Sequence, residues 1–192
     1  LKASVIGLGA ADWDSEANVD ADWPGVVEVK VDHEQIEEIY STGEIWLEDT
    51  LAVPIHSGVI LKTAERQSAL GRIERDGYTR LVQAKNPSGL EPKNAEQSIA
   101  LDILMDNSIG IVSLGGPAGT GKSLMALAAG LQQVKDRKVD KVVVFRPVTS
   151  VGGQDLGFLP GTAEEKMAPW AAAVHDALES IMKPNEIRDL GA

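Results

Sequence analysis

Eight consecutive residues, Gly116-Pro117-Ala118-Gly119-Thr120-Gly121-Lys122-Ser123, narrow what this 192-residue chain can become more than any other stretch. They fit the spacing G-x-x-x-x-G-K-[ST] and lie between an apolar run, IGIVSLG, and a helical pattern that continues from Leu124. Glycine lacks the β-carbon that would bar a tight curl, so such a loop can turn successive backbone N–H groups toward one anion. A helix beginning near Lys122 adds free N–H groups and the positive end of its dipole. The loop therefore reads as a triphosphate cradle. Gly116, Pro117, Ala118, Gly119, Thr120, Gly121, Lys122, Ser123 and Leu124 form the expected contact set for ATP. Lys122 is the expected catalytic residue, a point charge on the β- and γ-phosphates, and the Ser123 hydroxyl is the expected ligand of Mg²⁺.

The neighbouring pattern alternates helix and strand. A helix is predicted over 94–106, a strand over 109–114, a helix over 122–136 and a second strand over 141–145. Both strands are apolar throughout, as in a parallel sheet covered on both faces, and the alternation argues for an α/β architecture. Asn94 is placed to cap the first helix, with Gln97 in its first turn. A glutamine amide can donate and accept at once against an adenine edge, or can simply be an exposed helical side chain. Arg146 and Pro147 follow the second strand, at the carboxyl edge where such sheets bind ligands. Thr162 and Glu165 form a capping box, and Val174, Ala177, Leu178 and Ile181 then make one apolar stripe that reads as core.

Upstream the rhythm differs. KASVIGL at 2–8 reads as a short strand, followed by an acidic linker in which Trp13 and Trp23 are expected to act as hydrophobic anchors. VVEVKV at 26–31 alternates as a strand, Asp32 and Gln35 are spaced for a capping box, and Gly43 is placed to end the helix between them. VILK at 59–62, SALGRI at 68–73 and YTRLV at 78–82, with Asp76-Gly77 before the last, read as a small β unit containing a hairpin. NPSGLEPKN at 86–94 marks the boundary.

Charge separates the same regions. The net charge is −11, but residues 1–61 carry 2 basic and 13 acidic side chains, whereas residues 62–93 carry 7 and 4. Only the β unit offers the cations that a nucleic-acid partner requires, and a solvated mixed-charge face would look the same. The absence of cysteine excludes a thiolate metal site, and His33, His56 and His175 lack ligand spacing and read as structural. No apolar run reaches the roughly 20 residues of a membrane span, and a cytoplasmic location is expected.

GPAGTGKS, the upstream PKNAEQ, and RPVTSVGGQDLGFLPGTAEEKMAPW at 146–170 together resemble the ATPase domain of PhoH-like proteins, over roughly residues 90–182. The segments LKASVIGLGA and VILKTAERQSALGRIERDGYTRLV further resemble the join in fusions of a PIN nuclease domain with a PhoH domain. The resemblance implies an α/β P-loop NTPase, RecA-like with a parallel sheet, preceded by a small β-rich linker subdomain and incomplete on its C-terminal side. It implies residues 1–24 as the linker or end of a PIN-type domain, 25–89 as the β-rich subdomain and 90–192 as the N-terminal part of the ATPase domain. It further implies an ATP-hydrolysing RNA helicase coupled to a ribonuclease, a homo-oligomeric ring, an adenine contact from Gln97, and Arg146 facing RNA or phosphate. The sequence departs from a complete motor. No acidic pair for Mg²⁺ and water follows a later apolar strand, no finger arginine can be assigned, and nuclease residues would lie upstream of Leu1. These 192 residues alone are expected to bind nucleotide with negligible hydrolysis. The rival readings are a nucleotide-gated module that unwinds nothing and a small-molecule kinase.

Overall fold

Residues 25–50, 52–145, 172 and 174–182 are described in the computed structural model. The described part opens with β1 (Val26–Lys30) and α1 (His33–Thr42). The Asp32 carboxylate accepts the Gln35 N–H at 2.8 Å while the Gln35 side chain accepts the Asp32 N–H at 3.0 Å, so the capping box is complete. Gly43, at φ +84°, ends the helix by donating its N–H to Ile39. Such an N-terminal cap stabilises a helix by about 1 kcal/mol.

β2 (Glu44–Trp46) follows at once, then β3 (Gly58–Lys62), β4 (Ser68–Ile73) and β5 (Tyr78–Leu81). The five strands form one mixed sheet in the order β1-β3-β4-β5-β2. β1 and β3 run parallel, and the remaining pairs are antiparallel. Gly77, at φ +87°, makes the expected turn between β4 and β5, and the Asp76 side chain accepts the Tyr78 N–H. One face carries Val29, Ile45, Val59, Leu61, Ala69 and Ile73, which bury against Ile36 and Ile39 of α1. Tyr40 of α1 is 59% exposed, and its hydroxyl donates to the carbonyl of Ser68.

The other face receives α2 (Ala95–Leu104), capped by Asn94 as the sequence predicts. Its Ile99 presses on the sheet at Gly58, where a β-carbon would lie 2.6 Å from Ile99 Cγ2. α3 (Lys122–Lys135) buries Met125, Ala128, Ala129 and Leu131. Gln133 Nε2 donates to the carbonyl of Leu104, and Ser88, at φ +51°, donates its N–H to Gln132, so both α2 and the boundary segment are fastened to α3.

The expected parallel sheet is not found among the described residues. Neither 109–114 nor 141–145 forms a strand; Ile111 and Phe145 are each 91% exposed. A doubly apolar strand is stable only with neighbours on its edges and layers on both faces. No described strand pairs with these segments, because the one sheet present is built wholly from residues 26–81. The expected strand at 2–8, the linker with Trp13 and Trp23, Arg146, Pro147 and the capping box at Thr162 lie outside the described residues. Residues 174–179 are helical, with Val174, Ala177 and Leu178 half-buried.

Gly58→Ala should destabilise the fold by about 1–3 kcal/mol, because Ile99 has no room to yield. A lower urea midpoint at unchanged slope is the expected result, and an unchanged midpoint would show that α2 does not press on the sheet.

Candidate nucleotide site

Three glycines give the phosphate loop its shape: Gly116 at φ +134°, Gly119 at +79° and Gly121 at +86°. Residues with a β-carbon rarely adopt these conformations. Gly121 is the N-cap of α3, and no side chain caps that helix, in contrast to Asp32 on α1 and Asn94 on α2. The first-turn N–H groups of α3 are thus left to the loop and to whatever it holds. Lys122 Nζ turns back into the loop, donating to the carbonyls of Gly116 at 2.8 Å and Pro117 at 2.5 Å and lying 3.3 Å from Thr120 Oγ1. The Thr120 hydroxyl in turn donates to Pro117. Residues 115–120 and Ser123 are exposed, so an anion can reach them from solvent. These features fit a triphosphate: a loop with glycine at each of its three positive-φ positions, an uncapped helix end and one ammonium group among them.

Gln97 is brought to this loop. Its Nε2 donates to the carbonyl of Thr120 at 3.2 Å, and its Oε1 accepts the Lys93 N–H at 2.6 Å. Beside it lies a cleft of about 210 Å³, lined by Leu90, Pro92, Gln97, Leu101, Leu124 and Met125 together with the loop backbone at 119–121. That is below the roughly 300–1,000 Å³ that encloses a drug-sized ligand, and suits one ring system with the remainder outside. Ser123 lines a larger, mostly apolar hollow of about 590 Å³ together with Ala126, Leu127, residues 142–145, Val174 and Ala177. A third hollow, about 810 Å³ between α1 and the start of β4, is a shallow surface groove of other residues.

The ion-pair cluster behind the site is not among the sequence expectations. Arg72 on β4 is buried and binds Glu74 at 2.7 Å, Asp106 at 2.7 Å and Asp102 at 3.4 Å; Lys85 binds Asp102 at 2.9 Å. Burial disfavours the Asp106 carboxylate, but hydrogen bonds from the Ser108 hydroxyl, the Arg72 guanidinium and the Ser108 N–H outweigh it. They hold Asp106 well below the usual carboxylate range. Burial likewise opposes the charge on Arg72, and its carboxylate partners outweigh that too, raising its pKa. The spacing of Asp102 and Asp106, four residues apart near the end of α2, is a local signal for a shared cation, but that cation, Arg72, lies 34 residues from Asp106 in sequence.

The basic surplus of the β unit is largely spent on carboxylates. Lys62 binds Glu28, and Arg80 binds Glu44 and Asp76, in addition to the pairs of Arg72 and Lys85. Of the histidines, His33 bonds Gln67 and Glu37, and His175 lies 3.4 Å from Glu179. His56 adopts φ +70° and donates its N–H to Ile73. Among the described residues no cluster of histidine and carboxylate side chains could hold a metal, and no helix is long and apolar enough to cross a membrane.

A family profile described as PhoH-like protein matches residues 89–191. Protein PhoH2 of Thermobispora bispora is 44% identical over 192 residues, covering 99% of this chain and 44% of that protein. Protein PhoH2 of Mycolicibacterium smegmatis is 46% identical over 186 residues, or 96% of this chain and 42% of the relative. Protein PhoH2 of Bacillus subtilis is 35% identical over 200 residues, 97% and 45% respectively. The chain thus spans less than half the length of these curated relatives, and no solved structure matches it. The chain belongs to the PhoH-like protein family, whose P-loop implies ATP binding.

Proposed function

We propose that this PhoH-like chain is the nucleotide-binding part of an ATP-driven motor acting on RNA. In this reading residues 1–24 end a PIN-type ribonuclease domain, 25–89 form a spacer, and 90–192 begin the ATPase domain. The observation that carries the proposal is the uncapped N-terminus of α3, wrapped by a loop with three left-handed glycines and entered by Lys122.

The backbone from Gly116 to Ser123 would bind the phosphates, and Lys122 would hold the β- and γ-phosphate oxygens with an ammonium that already sits within the loop. Ser123 would ligate Mg²⁺. Leu124 and Met125 would bound the base on its apolar side, and Gln97, anchored between Lys93 and Thr120, would read the adenine edge. Bound ATP with Mg²⁺ supplies the phosphoanhydride whose cleavage drives the motor. The part of Lys122 in that cleavage is electrostatic, an ammonium placed where charge builds up on the leaving oxygens. Arg146 would face RNA or phosphate, and a homo-oligomeric ring in the cytoplasm would let a neighbour supply the missing arginine.

One observation favours a second reading. With Lys62, Arg72, Arg80 and Lys85 bound to carboxylates, only Arg66, Arg75 and Lys93 of the cations at 62–93 are left without a carboxylate partner among the described residues. A module that binds ATP to set the posture of an attached nuclease needs no such strip.

ATP turnover by the full-length protein, with and without single-stranded RNA, separates the two. RNA-stimulated turnover with strand separation is the expected result; tight ATP binding with neither supports the gate. Lys122→Ala should lower turnover by at least about 100-fold, as loss of a phosphate-stabilising charge does elsewhere, and undiminished activity would remove the loop from the mechanism. Gln97→Ala should narrow the preference for ATP over GTP, and an unchanged preference would remove the adenine contact.

A further inference from the structure

The two ends of α2 are held by different parts of the molecule. In its first turn Gln97 donates to the carbonyl of Thr120 in the phosphate loop. Five residues on, the buried carboxylate of Asp102 binds Arg72 and Lys85, and Asp106, just past the helix end, binds Arg72 again. Between them Ile99, only 1% exposed, rests on the bare backbone of Gly58. The helix therefore bears on the sheet near its middle, is gripped by cations of the β unit at one end, and touches the nucleotide loop at the other. A ten-residue helix is a stiff rod about 15 Å long, so a tilt imposed at one end is carried to the other.

We infer that Arg72 is a positioning residue for the base end of the nucleotide site: by holding Asp102 and Asp106 it fixes the tilt of α2 and so the approach of Gln97 to the phosphate loop. The inference rests on the reading of Gln97 as the adenine contact. Without the guanidinium, Glu74, Asp102 and Asp106 face one another with Lys85 as the one remaining cation bound to any of them among the described residues. Mutual repulsion then drives the C-terminal end of α2 from β4. Gln133 still holds the Leu104 carbonyl, so the helix pivots on Ile99 and does not detach. Gln97 swings with it, whereas the backbone cradle of 116–123 and Lys122, which belong to the loop and α3, stay in place.

The test measures affinities of the full-length protein for ATP, GTP and inorganic tripolyphosphate, each with Mg²⁺, in wild type, Gln97→Ala, Arg72→Gln, Arg72→Lys and the Arg72→Gln/Gln97→Ala double variant. Arg72→Gln should weaken ATP binding roughly tenfold and bring the ATP-to-GTP ratio to that of Gln97→Ala, with tripolyphosphate affinity kept within about twofold. The double variant should bind ATP no worse than either single variant, because both act on one contact. Arg72→Lys, which keeps the charge, should restore part of the preference. A folded Arg72→Gln that keeps the wild-type ratio, or that loses all three ligands equally, overturns the inference. If Arg72→Gln fails to fold, Arg72→Lys and Lys85→Ala decide: reduced selectivity supports the inference, and wild-type selectivity in both overturns it. A preference lost in Gln97→Ala but intact in folded Arg72→Gln sinks this inference alone. One that survives Gln97→Ala sinks the adenine reading and this inference with it.

Discussion

The N-terminus of α3 is the constraint around which the rest is arranged. Its first-turn N–H groups have no side-chain cap, and the chain leading into it is forced through three left-handed glycines. An uncapped helix end is a standing demand for negative charge. Lys122 is fixed to the carbonyls of Gly116 and Pro117 at the same place, so its ammonium stands beside that helix end. A loop of this composition is hard to justify as mere connection, since its glycines forgo the conformational restriction that ordinary residues would provide.

The same constraint explains why α2 lies where it does. A helix packed on the β sheet through Ile99 and on α3 through its C-terminal carbonyl can place Gln97 against the loop only if its tilt is set. The ion-pair cluster of Arg72, Lys85, Asp102 and Asp106, with Arg72 and Asp102 buried, performs that setting. Buried ion pairs add little net stability but fix orientation strictly, because a displaced partner leaves a charge uncompensated. The β unit is therefore a footing for α2 and, through it, for Gln97.

Much of this was legible in the sequence where the signal is local. Asp32 with Gln35, Gly43, Asn94 and Asp76-Gly77 each act on a backbone group within a few residues, and each does so in the structure. The alternating strands β3, β4 and β5 appear within about one residue of their expected limits. Long-range pairings were not legible. The parallel register of β1 on β3 spans an intervening helix, and β2, only three residues long, is too short to show a period. Arg72 sits in a strand next to Glu74 and gives no sign of meeting Asp102 and Asp106. The apolar runs at 109–114 and 141–145 misled in the opposite direction. Such a pattern records the burial a segment is suited to, not the presence of partners, and no described strand pairs with either run.

The most direct measurement of the central claim is a titration of isotopically labelled protein with Mg²⁺–ATP, following backbone amide resonances. The account predicts saturable shifts concentrated on Gly116 through Ser123 and on the Gln97 side-chain amide, with the sheet core around Val29 and Leu61 unmoved. Shifts elsewhere with the loop amides unchanged would contradict it, because then the glycines, the uncapped helix and Lys122 would not be what receives the phosphates.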